Sequence, residues 1–329
     1  MAEAPVSVLR PLLLIAAILV LGLSVLGADY AAGQATLVAT YAIAGLGLVI
    51  IVGQAGQITL GQGALVALGA YAETLLAMRG VPPVLSVPAA VALGAAGGAL
   101  ASLPARRLGG LYFAMSTLAF ALIVEEMLVR WTSLTRGGAG LSVPTLSWGG
   151  RRVDTPLEQM LVSLAALMLA WLACRRLLAG RSGRAWRAVR EDEVAAAEAC
   201  GVDVAATKLR AFVLGGALAG LAGALYAHWI GFISPEQFGL MFSFELLMLV
   251  FIGGARHLSG ALWGALVIVS LPQLIALLRD VLPGEWSRSA GLETVLFGAV
   301  IVAMVLLRPQ GLASASCVAP ASVRKRNED

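Results

Sequence analysis

The chain has 329 residues, 59% of them hydrophobic and only 13% charged, with a mean hydropathy of +0.88. A soluble globular domain carries roughly a quarter charged residues, so a soluble class is excluded and a polytopic membrane protein is indicated. The net charge of +4 does not point to nucleic acid: the arginines cluster beside apolar runs, where they set orientation and attract anionic lipid, and no basic face is interleaved with aromatics.

In chain order, apolar segments fall near residues 11–28, 36–52, 58–78, 84–104, 109–130, 158–174, 209–230, 243–255, 259–278 and 291–307. The expected fold is all-α, with about ten transmembrane or re-entrant helices. Residues 9–28 have the arginine, apolar run and small-residue end of a signal peptide, but the run is long and more spans follow, so a retained first span is expected. The segment 243–255 is the shortest and is open to a re-entrant reading. Segments 36–52 and 58–78 are separated only by GQAGQ, which points to a broken helix. Residues 1–312 form one transmembrane domain with a polar loop at 180–207, and residues 313–329 form an Ala/Ser-rich, then charged, tail.

Threading ten spans from an inside N-terminus puts Arg106 and Arg107, the cluster from Arg175 to Arg190, Arg256 and His257, and the RKR tail on one side. Asp29, the loop 132–157 and residues 233–238 collect on the other. That is a positive-inside pattern with both termini cytoplasmic. Arg79, Arg136, Arg151, Arg152, Arg279 and Arg288 are exceptions on the outer side.

Within GQAGQITLGQG, Gly53, Gly56, Gly61 and Gly63 weaken a helix, while Gln54, Gln57, Thr59 and Gln62 place polar groups at membrane depth. Lipid satisfies none of them, so they face protein or a water-lined path. Either interhelical hydrogen bonding or a translocation path accommodates them, and Glu73, a few turns on, joins the candidate path. Further along, Ala211, Gly215, Ala219 and Gly223 recur every fourth residue beside Gly216, Gly220 and Ala224. Two small-residue ridges invite close helix packing. His228 ends the second ridge and is expected to cap a helix or meet water. Glu125 and Glu126 are expected at an interface, Arg130 pairing with Glu126; Glu245 is a further acid at the start of an apolar run.

Enzyme chemistry finds little footing. His228 and His257 are the two histidines and form no HExxH pair, the three cysteines (Cys174, Cys200, Cys317) have no metal spacing, and GLSV at 140–143 is a chance-level match to a serine nucleophile loop. No Gly-Lys-Ser/Thr phosphate loop exists, so an ATP-driven protein of this sequence needs another chain to bind the nucleotide.

The exception to the apolar character is GRAWRAVREDEVAAAEACGVD, residues 183–203, with three arginines, three consecutive acids and one Trp. Helical spacing puts Trp186, Val189, Ala196, Ala197 and Cys200 on one side with Glu193 among them. Such a face fits a knob inserted into a partner's groove, or a loop folded onto its own membrane domain.

This stretch and the following helix resemble the cytoplasmic loop of branched-chain amino acid ABC-transporter permeases of the LivM type. The matching residues are Gly183, Arg184, Ala185, Arg190, Glu191, Glu193, Ala196, Glu198 and Gly201, followed by Lys208, Ala211, Phe212 and AGLAGALYA. GQAGQITLGQGALVALGAYA, LYFAMSTLAFALIVE and FIGGARHLSGALWGAL resemble three further family blocks, in family order. Arg256 and His257, and Arg136, depart from smaller or glycine-containing turns. The resemblance implies an ABC importer permease in a bacterial inner membrane with no cofactor of its own. The implied partners are a second, LivH-type permease, two cytoplasmic ATPases that bind ATP, and a periplasmic or lipid-anchored binding protein. The implied substrates are branched-chain or other hydrophobic amino acids; urea, short amides or small organic acids, or an ATP-independent channel or secondary transporter, are the alternatives. Within this reading Glu193 is expected to meet a donor on the ATPase, and Gly201 to close the loop helix in a left-handed cap.

Overall fold

The computed structural model describes residues 28–106, 108, 110–148, 151–153, 155–195, 201–281 and 311–315, with single positions at 295, 298, 299, 302 and 306. Nine α-helices of more than ten residues are present among them. They are α1 (Ala28–Leu48), α2 (Gln62–Met78), α3 (Pro83–Ser102), α4 (Gly110–Arg130), α5 (Pro156–Ala179), α6 (Arg181–Glu191), α7 (Val204–Ile230), α8 (Leu240–Gly253) and α9 (Leu258–Val281). Eight of the ten expected apolar segments fall on these elements. The segment 11–28, apart from Ala28, and most of 291–307 lie outside the described residues, as does the tail beyond Ala315. Among the described residues seven helices are long and apolar enough to cross a membrane, and Gln62–Met78 is a shorter apolar helix. The total of about ten is thus not confirmed. The segment 243–255 belongs to a longer run than expected: the 3-10 turn Pro235–Phe238 leads into α8 to give a stretch of 19 residues, Pro235–Gly253, of span length and hydropathy.

Local chemistry sets the helix ends. Thr155 accepts from the Glu158 N–H at 3.3 Å with Pro156 at the first position of α5, and Asp203 accepts from the Ala206 N–H at 2.9 Å to open α7. Both are N-caps that satisfy otherwise unpaired donors. α7 ends at Gly231, whose φ of 72° lets its N–H return to the Ala227 carbonyl.

α7 is the hub, packed most extensively against α3 and then α2 and α1. Its two ridges serve different neighbours. Gly215 lies against Ile51 and the Gly47 carbonyl, and Gly223 against the backbone of Val66 and Ala70, while Ala211 and Ala219 are fully buried. Gly216 and Gly220 meet Ala90, Gly94 and Gly98 of α3. A Cβ at Gly220 would fall on the Ala90 carbonyl. Without a hydrophobic drive inside lipid, this backbone-to-backbone approach is what holds the helices together. An edge-to-face aromatic cluster of Tyr41, Tyr226, Phe238 and Phe242, with ring centroids 5.8–6.0 Å apart, fills the space between α1, α7 and the start of α8.

The contacts fix helix directions. Trp229 donates to the Gly33 carbonyl at 2.9 Å while Gly215 meets Gly47, so α1 and α7 are antiparallel. Gly220 touches Gly69 and His228 touches Glu73, so α2 runs parallel to α7. One end of the bundle, the loop end, gathers the 53–61 turn, α6, Glu193, Lys208 and Ala255–Arg256. The far end holds residues 141–148 and 231–239, where Leu141 and Ser142 pair antiparallel with Ile233 and Phe232. The described part of the grouping read from the basic loops is reproduced, while Arg107 and the RKR tail lie outside the described residues.

Candidate functional site

At the loop end the charged stretch folds differently from the single helix expected over 183–203. α6 stops at Asp192, which is extended (φ −158°, ψ 116°). Its Oδ1 accepts from the Val194 and Ala195 N–H groups at 2.9 and 3.1 Å. An Asp side chain that binds the backbone just ahead of it competes with helix continuation and starts a new turn instead. Ala196, Ala197, Glu198 and Cys200 lie outside the described residues. Gly201 is exposed with φ 61°, a left-handed conformation, although the helix end it was expected to cap is not among the described residues.

Trp186 and Val189 are buried against their own bundle, and the indole N–H donates to the Thr207 carbonyl at 2.9 Å. The apolar face of α6 is thus occupied internally and does not form a free knob. The folded-back alternative holds for this part of the loop. What α6 leaves outside is polar: Arg181, Arg184, Arg187 and Glu191 are exposed.

Glu193 is likewise satisfied within the chain. Lys208 Nζ lies 2.8 and 2.9 Å from its two carboxylate oxygens, and Gln57 Nε2 donates to Oε1 at 3.1 Å. The ammonium side chain is 3% exposed and the carboxylate side chain 43%, so the pair has a buried cation and a half-exposed anion. Within the chain, Lys208 supplies a donor of the kind that Glu193 was expected to find on another subunit. Beside it Arg190 donates to the Gly53 carbonyl, and Gln54 Nε2 donates to the Arg256 carbonyl at 3.0 Å. Burial and then the neighbouring Arg256 charge lower the Arg190 pKa, with Glu191 opposing. Three segments distant in sequence thus converge on one turn.

That turn is a real break. α1 passes into a π-helical stretch, Val49–Gln54, and regular structure ceases until Gln62. Thr59 accepts from the Gly61 N–H at 3.2 Å. Gln62 is fully buried and donates to the Ala44 carbonyl at 3.4 Å, while its Oε1 has no hydrogen-bond partner among the described residues.

Glu73 lies eleven residues further along α2, roughly 16 Å of helix. It accepts from Ser86 Oγ at 2.8 Å and faces His228 Nε2 at 3.0 Å, with Oε2 unpartnered among the described residues. His228 Nδ1 is 3.2 Å from the Pro144 carbonyl. A carbonyl only accepts, so the Nδ1 contact calls for a hydrogen on Nδ1. The ring thus joins Glu73 to the Pro144 carbonyl instead of capping α7, which corrects the capping expectation for His228. A cavity of ≈ 20 Å³ beside His228, lined also by Thr36, Gln159 and Ser163, has room for about one water.

The five candidate path residues therefore do not form one cluster: Gln54, Gln57 and Thr59 belong to the loop end, Gln62 to the interior and Glu73 to the far end. Of the other acids, Glu126 pairs with Arg130 one turn away on the surface, and Glu245 of α8 meets the Tyr41 hydroxyl of α1. Among the described residues no three His, Cys, Asp or Glu side chains converge as metal ligands. The Lys208–Glu193 and His228–Glu73 pairs were not foreseen. The polar residue types inside apolar runs were visible, but their partners are 15 and 155 residues away, beyond any local period.

Residues 30–305 match the family described as branched-chain amino acid transport system / permease component. The chain is 35% identical to the high-affinity branched-chain amino acid transport system permease protein LivM of Escherichia coli, covering 84% of this chain and 68% of that protein. It is 25% identical to the corresponding LivH protein, over 84% of this chain and 92% of that one. A shorter match, 33% over 48% of this chain and 50% of the relative, is to the autoinducer 2 import system permease protein LsrC of Klebsiella pneumoniae. No solved structure matches the chain. With the family match running through most of the spans and the Gly/Gln turn, charged loop and Gly-Gly hairpin all inside it, the chain belongs to the branched-chain amino acid transport system permease family.

Proposed function

We propose that this chain is a membrane-spanning permease subunit of an ATP-driven importer for branched-chain or other hydrophobic amino acids. The observation that carries the reading is the 35% identity to LivM over 84% of the chain; the seven membrane-length helices agree with it. The weaker likeness to LivH supports a paired, related permease as its partner. Two cytoplasmic ATPases supply ATP binding and hydrolysis, since the sequence has no phosphate loop of its own. An external binding protein delivers the substrate. The protein resides in the bacterial inner membrane with the loop end and both termini in the cytoplasm. The loop 180–207, with Arg184, Arg190, Glu191, Glu193, Ala196, Glu198 and Gly201, is the element that answers to the ATPase. Its exposed arginines and acids form the polar contact surface, and its buried Trp186 anchors it to the bundle.

The test is uptake of labelled leucine into proteoliposomes holding the complete complex. Uptake that requires both ATP and the binding protein supports the reading. Flux at the same rate without ATP would instead make the protein a channel or secondary transporter, and competition by urea or acetamide in place of leucine would change the cargo.

A further inference from the structure

We infer that Lys208 is a positioning residue for coupling: through Glu193 and Gln57 it latches the charged loop to the break between α1 and α2. The inference rests on the importer reading above and names how loop movement reaches the membrane interior.

The geometry is specific. Lys208 stands in the first turns of α7, its ammonium almost entirely buried and held by both oxygens of Glu193. Glu193 belongs to the short turn that Asp192 opens after α6, so it moves with the loop. Its Oε1 also accepts from Gln57, whose own backbone N–H is fastened to the Ile51 carbonyl at 3.0 Å across the end of the π-helical stretch. One carboxylate therefore ties together the loop, the hub helix and the broken turn. A buried ammonium is strongly disfavoured unless paired, so Lys208 compels Glu193 to stay in place. The loop in turn cannot shift without dragging the turn or surrendering the ion pair.

Two further contacts make the turn responsive to the loop. Arg190 donates to the Gly53 carbonyl, and a Cβ on Gly56, where φ is 71°, would meet the Arg190 side chain at 2.9 Å. On its other side the turn is closed by the α8–α9 hairpin, where Gln54 donates to the Arg256 carbonyl. Helical hydrogen bonding is interrupted from Ala55 to Gly61, so this stretch yields more easily than a continuous helix. At its end, Leu60 N–H donates to Thr117 Oγ1 at 3.0 Å, and just beyond it Gly63 N–H donates to Ser243 Oγ at 3.0 Å. A displacement of the turn is therefore passed to α4 and α8. Glu193, 43% exposed, is the member of the latch that remains open to the surface.

The experiment uses the full complex, permease pair, ATPases and binding protein, in proteoliposomes. Three variants are compared: Lys208→Met, Glu193→Gln, and the exchange Lys208→Glu with Glu193→Lys. ATP hydrolysis and leucine uptake are measured on the same vesicles, with ATPase co-purification as the assembly control. A latch predicts that both single variants retain the ATPase and hydrolyse ATP, yet import about tenfold less leucine per ATP hydrolysed. The exchange variant, or Lys208→Arg if the exchange fails to assemble, restores the ratio at least threefold. Unchanged uptake per ATP in both single variants would overturn the latch and leave the importer reading standing. Loss of ATPase co-purification in Glu193→Gln would also overturn it, since Glu193 would then act by docking directly. Wild-type vesicles with no ATP-dependent uptake at all would overturn the importer reading, and the latch with it.

Discussion

The two ends of the bundle contain the same chemistry, a carboxylate facing a nitrogen cation or its conjugate, in opposite settings. At the loop end Glu193 is half exposed and its Lys208 partner buried. At the far end Glu73 is wholly buried and His228 nearly so, with side-chain exposures of 0% and 7%. The loop-end pair joins a helix to a segment that has left regular structure. The far-end pair joins α2, α3 and α7 to one another and to Pro144. A carboxylate that keeps contact with water tolerates rearrangement, because solvent replaces a lost partner. A carboxylate sealed among helices does not, because nothing replaces it. The first arrangement suits a moving joint and the second a fixed one.

The sharpest way to break that contrast is Glu73→Ala, which strands Ser86 and His228 in a sealed site. Removing one member of a buried pair costs about 3–5 kcal/mol, so a large fall in thermal stability in detergent is expected, with poor recovery from the membrane. Glu73→Gln keeps an acceptor for Ser86 and a donor for His228 Nε2 and should lose less than half as much. Equal losses for the two variants would show that shape alone, and not hydrogen bonding, holds the far end.

Glu193→Ala comes next. It leaves a buried ammonium beside a route to water, so the expected loss is about 2 kcal/mol, in the range for hydrogen bonds to charged groups. Chemical denaturation of the purified subunit measures it. A loss matching that of Glu73→Ala would erase the distinction between the ends. Raising salt should weaken the wild-type loop end more than the far end, as exposed charges are screened and sealed ones are not.

Gly201→Ala should cost about 1 kcal/mol or slightly more, the strain of a Cβ in a left-handed conformation. Among the described residues, its chain neighbours apart, no atom lies within 4 Å of the position where that Cβ would sit, so the expected cost is conformational. Limited proteolysis of the loop is the readout, and unchanged cleavage would show that the loop relaxes around it. The smallest effect is expected for Gln57→Leu. A single side-chain hydrogen bond between membrane helices is worth ~0.6 kcal/mol, so stability should barely change while uptake per ATP falls. A stability loss above about 2 kcal/mol would mean that Gln57 serves packing alone.

Much of the fold was legible because its causes are local. Apolar runs of span length announce α3, α4, α5, α7 and α9, and the fourfold recurrence of small residues marks α7 as a helix built to be approached closely. GQAGQ announced a break, and a break with a π-helical approach is found there. The charged loop was legible as an exception to its surroundings, but not in its shape. Periodicity carried Trp186 through Cys200 on one helix, whereas Asp192 ends that helix with its own carboxylate. A capping residue and a surface-facing acid look alike in a sequence.

Partner choice was the part that sequence could not supply. Reading Glu193 as waiting for an external donor followed from a real physical need, since a carboxylate among small residues requires one. Lys208 answers that need only because α7 begins beneath the returning loop. In the same way His228 finds Glu73 only because glycines at 69 and 220 let α2 and α7 run side by side with their backbones touching. The sequence by itself determined membrane residence, helix identity, the break and the family, because these depend on composition and short-range spacing. Tertiary structure alone decided which buried polar group meets which. Hydrogen bonds and ion pairs act over about 3 Å, and proximity on that scale between distant residues exists only once the helices have packed.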